Sequence, residues 1–164
     1  MSTTTLATTI VTGHYGFAEK HLQQETNHQL LVSLQSYQSN EVICGFGSSE
    51  IHSNPSKYTV QVAEDKHIIL SPEFLQYVNH SCNPNVFFNT TTMQLVALKP
   101  LQPEEEMTFF YPSTEWKMTQ SFECYCGSHQ CIGEIKGAAF LSREAQSTYR
   151  FTDFIQQQLA KRHA

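Results

Sequence analysis

The run Cys124-Tyr125-Cys126-Gly127-Ser128-His129-Gln130-Cys131 constrains this chain more than any other stretch of it. It holds three cysteines as C-x-C-x₄-C, one ligand short of a tetrahedral zinc site. Alternate residues Cys124 and Cys126 can face one ion across an extended backbone, and Gly127 permits the turn that brings Cys131 round. The remaining cysteines are Cys44 and Cys82. Cys44 lies in the apolar run Val42-Ile43-Cys44-Gly45-Phe46 and reads as a small core residue. His129 is a rival ligand, strained by its closeness to Cys131. Cys82 sits inside Asn79-His80-Ser81-Cys82-Asn83-Pro84-Asn85. With Cys82 as fourth ligand, the metal staples a C-terminal loop across residues 79–85, and a pocket lies where the two meet. Four thiolates leave no open coordination position, so such a zinc is structural.

Composition narrows the setting. At 164 residues, the chain suits one domain with a core of its own. Apolar content of 40% and charged content of 15% exclude a disordered chain. A formal charge of −5 without any Lys/Arg run argues against nucleic acid and suits a basic partner such as a lysine-bearing peptide. No stretch approaches the length of a membrane span, and the Thr-rich start lacks the parts of a signal peptide. Three crowded cysteines indicate metal chemistry in a reducing compartment, cytosol or nucleus, rather than a disulfide framework.

Short β-prone runs dominate: Thr8–Val11, Leu30–Leu34, Glu41–Phe46, Tyr58–Val62, His67–Leu70, Val86–Asn89, Met93–Leu98 and Met107–Tyr111. Turn formers separate them, among them Ser39-Asn40, Asn54-Pro55, Asn83-Pro84 and Pro100 to Pro103. The expected class is mostly β, built of small sheets. Ser71-Pro72-Glu73 predicts a short helix with a Ser cap and Pro at its first position. From Ser142 to Arg162 there is neither Pro nor Gly, and apolar residues recur at helical spacing through Leu141, Ala145, Ile155 and Leu159. One C-terminal helix is expected there, packed on its own domain or, alternatively, forming a homodimer.

Asn79–Asn85, Glu105-Glu106-Met107-Thr108-Phe109-Phe110-Tyr111 and the three-cysteine run occur in an order that resembles the SET-domain protein-lysine methyltransferases with a post-SET zinc segment. That family carries N-H-S-C-x-P-N, E-E-L-T-x-x-Y and C-x-C-x₄-C in this sequence. The resemblance implies a SET domain over residues 8–121, with a threaded pseudoknot. A post-SET zinc segment over 122–137 and a helical extension over 138–164 follow. It implies structural Zn²⁺ on Cys82, Cys124, Cys126 and Cys131, and S-adenosylmethionine against Asn79 and His80. Tyr77 stands where the family has the Phe of an Arg-Phe pair, and Gln76 replaces the Arg. Gly13-His14-Tyr15-Gly16-Phe17-Ala18 looks like the family's glycine turn, which places His14, Tyr15, Gly16 and Phe17 at the cofactor.

Tyr111 matches the family's catalytic tyrosine. Phe109, Phe110 and Tyr37 are expected to line a lysine channel, with Phe110 replacing a frequent Asp. Phe109 stands at the family's Phe/Tyr switch, and a Phe leaves room for a second and third methyl. A lysine ammonium has no lone pair, and with a reference pKa near 10.4 only about one in 2,500 is neutral at pH 7. An apolar channel and a nearby sulfonium both favour the neutral amine. These motifs place no carboxylate beside Tyr111. The implied activity is methyl transfer to a lysine amine of a protein or peptide. The alternatives are a non-catalytic SET-like binding module, a plain zinc-ribbon interaction domain, which would leave the 79–85 and 108–111 runs unexplained, and a different amine as acceptor.

Overall fold

The computed structural model describes residues 9–163, so Thr8 of the first predicted strand lies outside them. The architecture is mostly β and made of small sheets. Strands β1 (Thr9–His14), β2 (Ala18–Gln23) and β3 (His28–Ser33) form an antiparallel meander. A second sheet runs in the order β4 (Val42–Gly45), β10 (Gln94–Ala97), β9 (Val86–Asn89). A third places β7 (Lys66–Ser71) between β5 (Gly47–His52) and β6 (Thr59–Ala63). Two further pairs matter most for the site. β8 (Asn79–His80) lies parallel to β11 (Thr108–Phe109), and β12 (Phe122–Glu123) pairs antiparallel with β13 (Glu134–Ile135).

Burial follows residue type. The last four residues of β3 and the first three of β9 are buried, and both runs are aliphatic or aromatic but for Ser33. Two apolar clusters result. The larger gathers Leu31, Ile68, Leu75, Val78, Phe88, Leu95, Met107 and Phe109 between the sheets. The smaller gathers Cys82, Phe110, Ile135, Ala138, Phe151, Ile155 and Leu159. Because successive side chains of an extended strand face opposite ways, Phe109 enters the first cluster and Phe110 the second. Tyr111 packs against both.

Each β-prone run overlaps a strand; the two-residue strands β8, β12 and β13 were not foreseen, and neither were β2 and β5. These last two are polar: Ala-Glu-Lys-His-Leu-Gln and Gly-Ser-Ser-Glu-Ile-His. They hold their places through ladders to β1, β3 and β7 rather than through apolar periodicity. The predicted helix at Ser71 is a 3-10 turn over Glu73–Tyr77 with no side-chain cap. Ser71 is instead the last residue of β7, opposite Gly47, and Pro72 takes the cap position.

The C-terminal helix is two helices, α1 (Arg143–Thr148) and α2 (Asp153–Arg162). Each has its own N-cap: Ser142 Oγ accepts from Ala145 N at 3.1 Å, and Thr152 Oγ1 from Ile155 N at 3.4 Å. The break carries Tyr149 and Phe151 inward, where the Tyr149 ring stacks on Phe110 at 3.6 Å between centroids. Ile155 and Leu159, the apolar stripe of α2, are spent inside the chain.

Candidate active site

The β8–β11 pairing lays Asn79 beside Thr108 and His80 beside Phe109. Asn85 locks the two segments together: its amide donates to Glu106 O at 2.8 Å while its carbonyl accepts from Thr108 N at 2.9 Å. Ser81 N–H donates to Phe109 O at 3.0 Å. Residues 79–85 and 106–111 are therefore held as one unit, although they are distant in sequence. The Asn79 amide donates to Gln29 O at 2.7 Å and stands 3.2 Å from His28 Nε2.

His80 links the tyrosine to the cysteines. Its Nδ1 accepts the Tyr111 amide proton at 3.1 Å, which leaves Nε2 as the protonated nitrogen of the neutral ring. Nε2 stands 3.4 Å from Cys82 Sγ. Burial lowers the His80 pKa to about 4, so the ring is neutral near pH 7. Phe110, Tyr111 and Phe122 wall it in, with ring centroids between 5.2 and 5.6 Å away.

The thiols of Cys82, Cys124, Cys126 and Cys131 lie within 4.8 Å of one another, and the Cys82–Cys124 separation is 3.9 Å. Four sulfurs about 2.3 Å from a tetrahedral zinc stand roughly 3.8 Å apart, so the donor set and its spacing fit a metal ion. Gly127, at φ +76°, makes the turn between Cys126 and Cys131. Cys44 packs against the larger core, and burial pushes its thiol up to about 11. The tail clasps the cluster: Tyr149 Oη donates to Cys82 O at 2.6 Å and Gln130 Nε2 to the same oxygen at 2.5 Å.

Two cavities meet at Tyr111. One, of about 330 Å³, has mainly apolar inner walls from Leu70, Leu75, Val78 and Phe109, with Phe122 and Glu115 beside them. The other, of about 640 Å³, is bounded by Asn27, His28, Gln29, Tyr77 and Asn79. Tyr111, Gln76, Leu70 and the Lys57-Tyr58 pair line both. Burial pushes the Tyr111 phenol up to about 12, the Glu106 and Glu115 charges add to this, and the His80 backbone N–H opposes it. The phenol is therefore protonated near pH 7 and able to donate.

Of the residues the sequence singled out, Tyr77, Asn79, Phe109 and Tyr111 border these cavities. Lys20 Nζ stands 4.7 Å above the Tyr77 ring. His80, expected at the cofactor, borders neither cavity, its ring nitrogens facing Tyr111 N and Cys82 Sγ. Three other expected groups also lie elsewhere. Phe110 does not line the 330 Å³ cavity, because strand alternation turns it to the smaller core against Tyr149 and Phe151. Tyr37 is a core residue whose hydroxyl donates to Gln35 Oε1 at 3.3 Å. The His14-Tyr15-Gly16-Phe17 turn lines neither cavity; Tyr15 stacks on Phe74 at 4.0 Å, and Phe17 packs on the same ring.

One residue went unremarked. Glu115 is buried and borders the apolar cavity, contrary to the expectation of no carboxylate beside Tyr111. It is the sole acid between Glu106 and Glu123, one turn beyond Tyr111, and that placement was the available signal. Asn27, His28 and Gln29 were also missed, since they join the site only through the β2–β3 turn.

The family model described as SET domain matches residues 17–112, and the chain belongs to that family. Among its relatives, "Methyltransferase flvH" of Aspergillus flavus is 41% identical over 88 residues, covering 52% of this chain and 49% of that protein. "Histone-lysine N-methyltransferase Set2" of Drosophila melanogaster is 35% identical over 68 residues, 38% of this chain and 3% of the other. "Histone-lysine N-methyltransferase, H3 lysine-36 specific" of Candida albicans is 36% identical over 68 residues, 38% of this chain and 8% of the other. The chain thus spans about half the length of the first relative and a small part of the other two.

Proposed function

We propose that this chain transfers a methyl group from S-adenosylmethionine to the side-chain amine of a lysine in a protein or peptide. The observation that carries the reading is the position of Tyr111, in a SET-family chain, on the shared wall of a mixed cavity bounded by Asn27, His28 and Asn79 and a mainly apolar one. The donor occupies the mixed cavity beside Tyr77 and Asn79, and the amine enters through the apolar one. S-adenosylmethionine supplies an electrophilic methyl on a sulfonium. Leu75, Val78 and Phe109 keep water from the reacting amine and favour its neutral form. The Tyr111 hydroxyl, protonated near pH 7, orients the amine toward the donor. With Phe rather than Tyr at 109, the channel has room for more than one methyl.

Cys82, Cys124, Cys126 and Cys131 hold a structural Zn²⁺ that takes no part in the chemistry. A divalent cation at the site would allow the four thiols to ionise together. The metal fixes Cys82, and through the His80 ring it fixes the backbone at Tyr111. Residues 8–121 form the catalytic domain, 122–137 the zinc segment and 138–164 a supporting extension. Free thiols and lysine-bearing protein substrates suit the cytosol or nucleus.

Calorimetry with S-adenosylmethionine tests the donor half of this reading: one donor bound per chain is expected. An absence of binding by zinc-loaded protein would refute it. Donor binding without any methyl transfer to lysine substrates would instead identify a non-catalytic module.

A further inference from the structure

Among the described residues, Glu115 is the only acid lining the apolar cavity. Its Oε2 accepts from Thr114 Oγ1 at 2.6 Å and from Gln61 N at 3.1 Å. Among the described residues, nothing donates to Oε1 and no basic side chain pairs with the group. Glu115 is 9% exposed, with Oε2 held by two protein donors and Oε1 given none. Such an acid in the wall of a mainly apolar cavity offers an acceptor to a cationic group that enters it. Lys57, the one basic residue on that cavity among those described, is exposed, and its Nζ stands 4.8 Å over the Tyr58 ring.

We propose that the free oxygen of Glu115 selects the acceptor as an ammonium ion and takes its proton before methyl transfer. This rests on the methyltransferase reading above. The step balances. One N–H bond of R–NH₃⁺ breaks and the proton passes to Glu115, giving R–NH₂ and a neutral carboxyl group. The nitrogen lone pair then forms the C–N bond as the C–S bond breaks. Sulfur leaves with that electron pair as a thioether, and the product is R–NH₂⁺–CH₃. Glu115 returns its proton to water when the product leaves. Burial pushes the carboxyl pKa up to about 7, which makes it a better proton acceptor than an ordinary glutamate. Its charge also acts on Tyr111, and both residues line the same cavity.

The test uses zinc-loaded protein saturated with S-adenosylhomocysteine and two probes, N-acetyl-lysine methylamide and its uncharged isostere N-acetyl-norleucine methylamide. NMR titration of the wild type is expected to show the lysine probe bound at least about 10-fold tighter, as a charge-assisted hydrogen bond implies. Glu115→Gln keeps an acceptor for Thr114 and Gln61. It is expected to erase the preference while leaving the norleucine probe and S-adenosylhomocysteine unaffected. An equal response to both probes in the wild type, or an undiminished preference in the variant, overturns the proposal alone. Failure of S-adenosylhomocysteine to bind overturns the methyltransferase reading and this proposal with it.

Discussion

Replacing Glu115 with Gln should stabilise the folded chain above neutral pH and do little in acid. The carboxyl is held at about 7 in the folded chain against an ordinary value of 4.5, chiefly by burial. The folded state therefore binds this proton more tightly than the unfolded state. The resulting stability is intact below 4.5 and is lost as pH rises through about 7. A gap of about 2.5 at 1.36 kcal/mol per pH unit gives a cost near 3 kcal/mol at pH 8 and about 1.4 kcal/mol at pH 5.5. Tyr111, Tyr58 and Lys57 are the other titratable groups on the cavity and are common to both proteins. The thiols are common to them too, so their pH dependence cancels in the comparison. Urea unfolding of both proteins at the two pH values gives the answer. The advantage of Glu115→Gln should grow by about 2 kcal/mol between pH 5.5 and pH 8. An advantage that does not change with pH would refute the burial argument.

Tyr111→Phe should retain fold and donor affinity yet lose about 100-fold or more in kcat; an unaltered rate removes the hydroxyl from the mechanism. Cys82→Ser should lower zinc content and speed hydrogen exchange across 122–137 and 149–163 before the main sheets respond, whereas uniform exchange would mean the two cores are not separable. Tyr149→Phe removes one of the two donors to Cys82 O and should cost about 1 kcal/mol, measured by urea unfolding. Ile155→Ala should cost about 2–5 kcal/mol on the same assay, because its side chain is fully buried in the smaller core; no loss would show that α2 is only loosely attached.

Much of the site could be read before the fold was known, because motif spacing reports chemistry. Cys82, Cys124, Cys126 and Cys131 were singled out by ligand type and converge as expected. The β-rich class followed from short β-branched and aromatic runs. The failures share a cause, which is that facing direction depends on register. Phe109 and Phe110 are adjacent in sequence, yet pleating divides them between two cores. The tail shows a helical period on both sides of Tyr149, but its capping residues Ser142 and Thr152 each begin a helix of their own. Glu115 was hidden for a different reason. Nothing local marks a glutamate as buried, and only the packing of β6 against the turn after Tyr111, seen in the Gln61 N–H to Glu115 bond, encloses it.

The account stands or falls on where the methyl group goes. Zinc-loaded chain would be incubated with isotopically labelled S-adenosylmethionine and a lysine-bearing protein extract, and the product digested and sequenced by mass spectrometry. A label on lysine Nε with wild type, and none with Tyr111→Phe, is the expected result. A label on another atom, or on lysine at equal yield with both proteins, would contradict it.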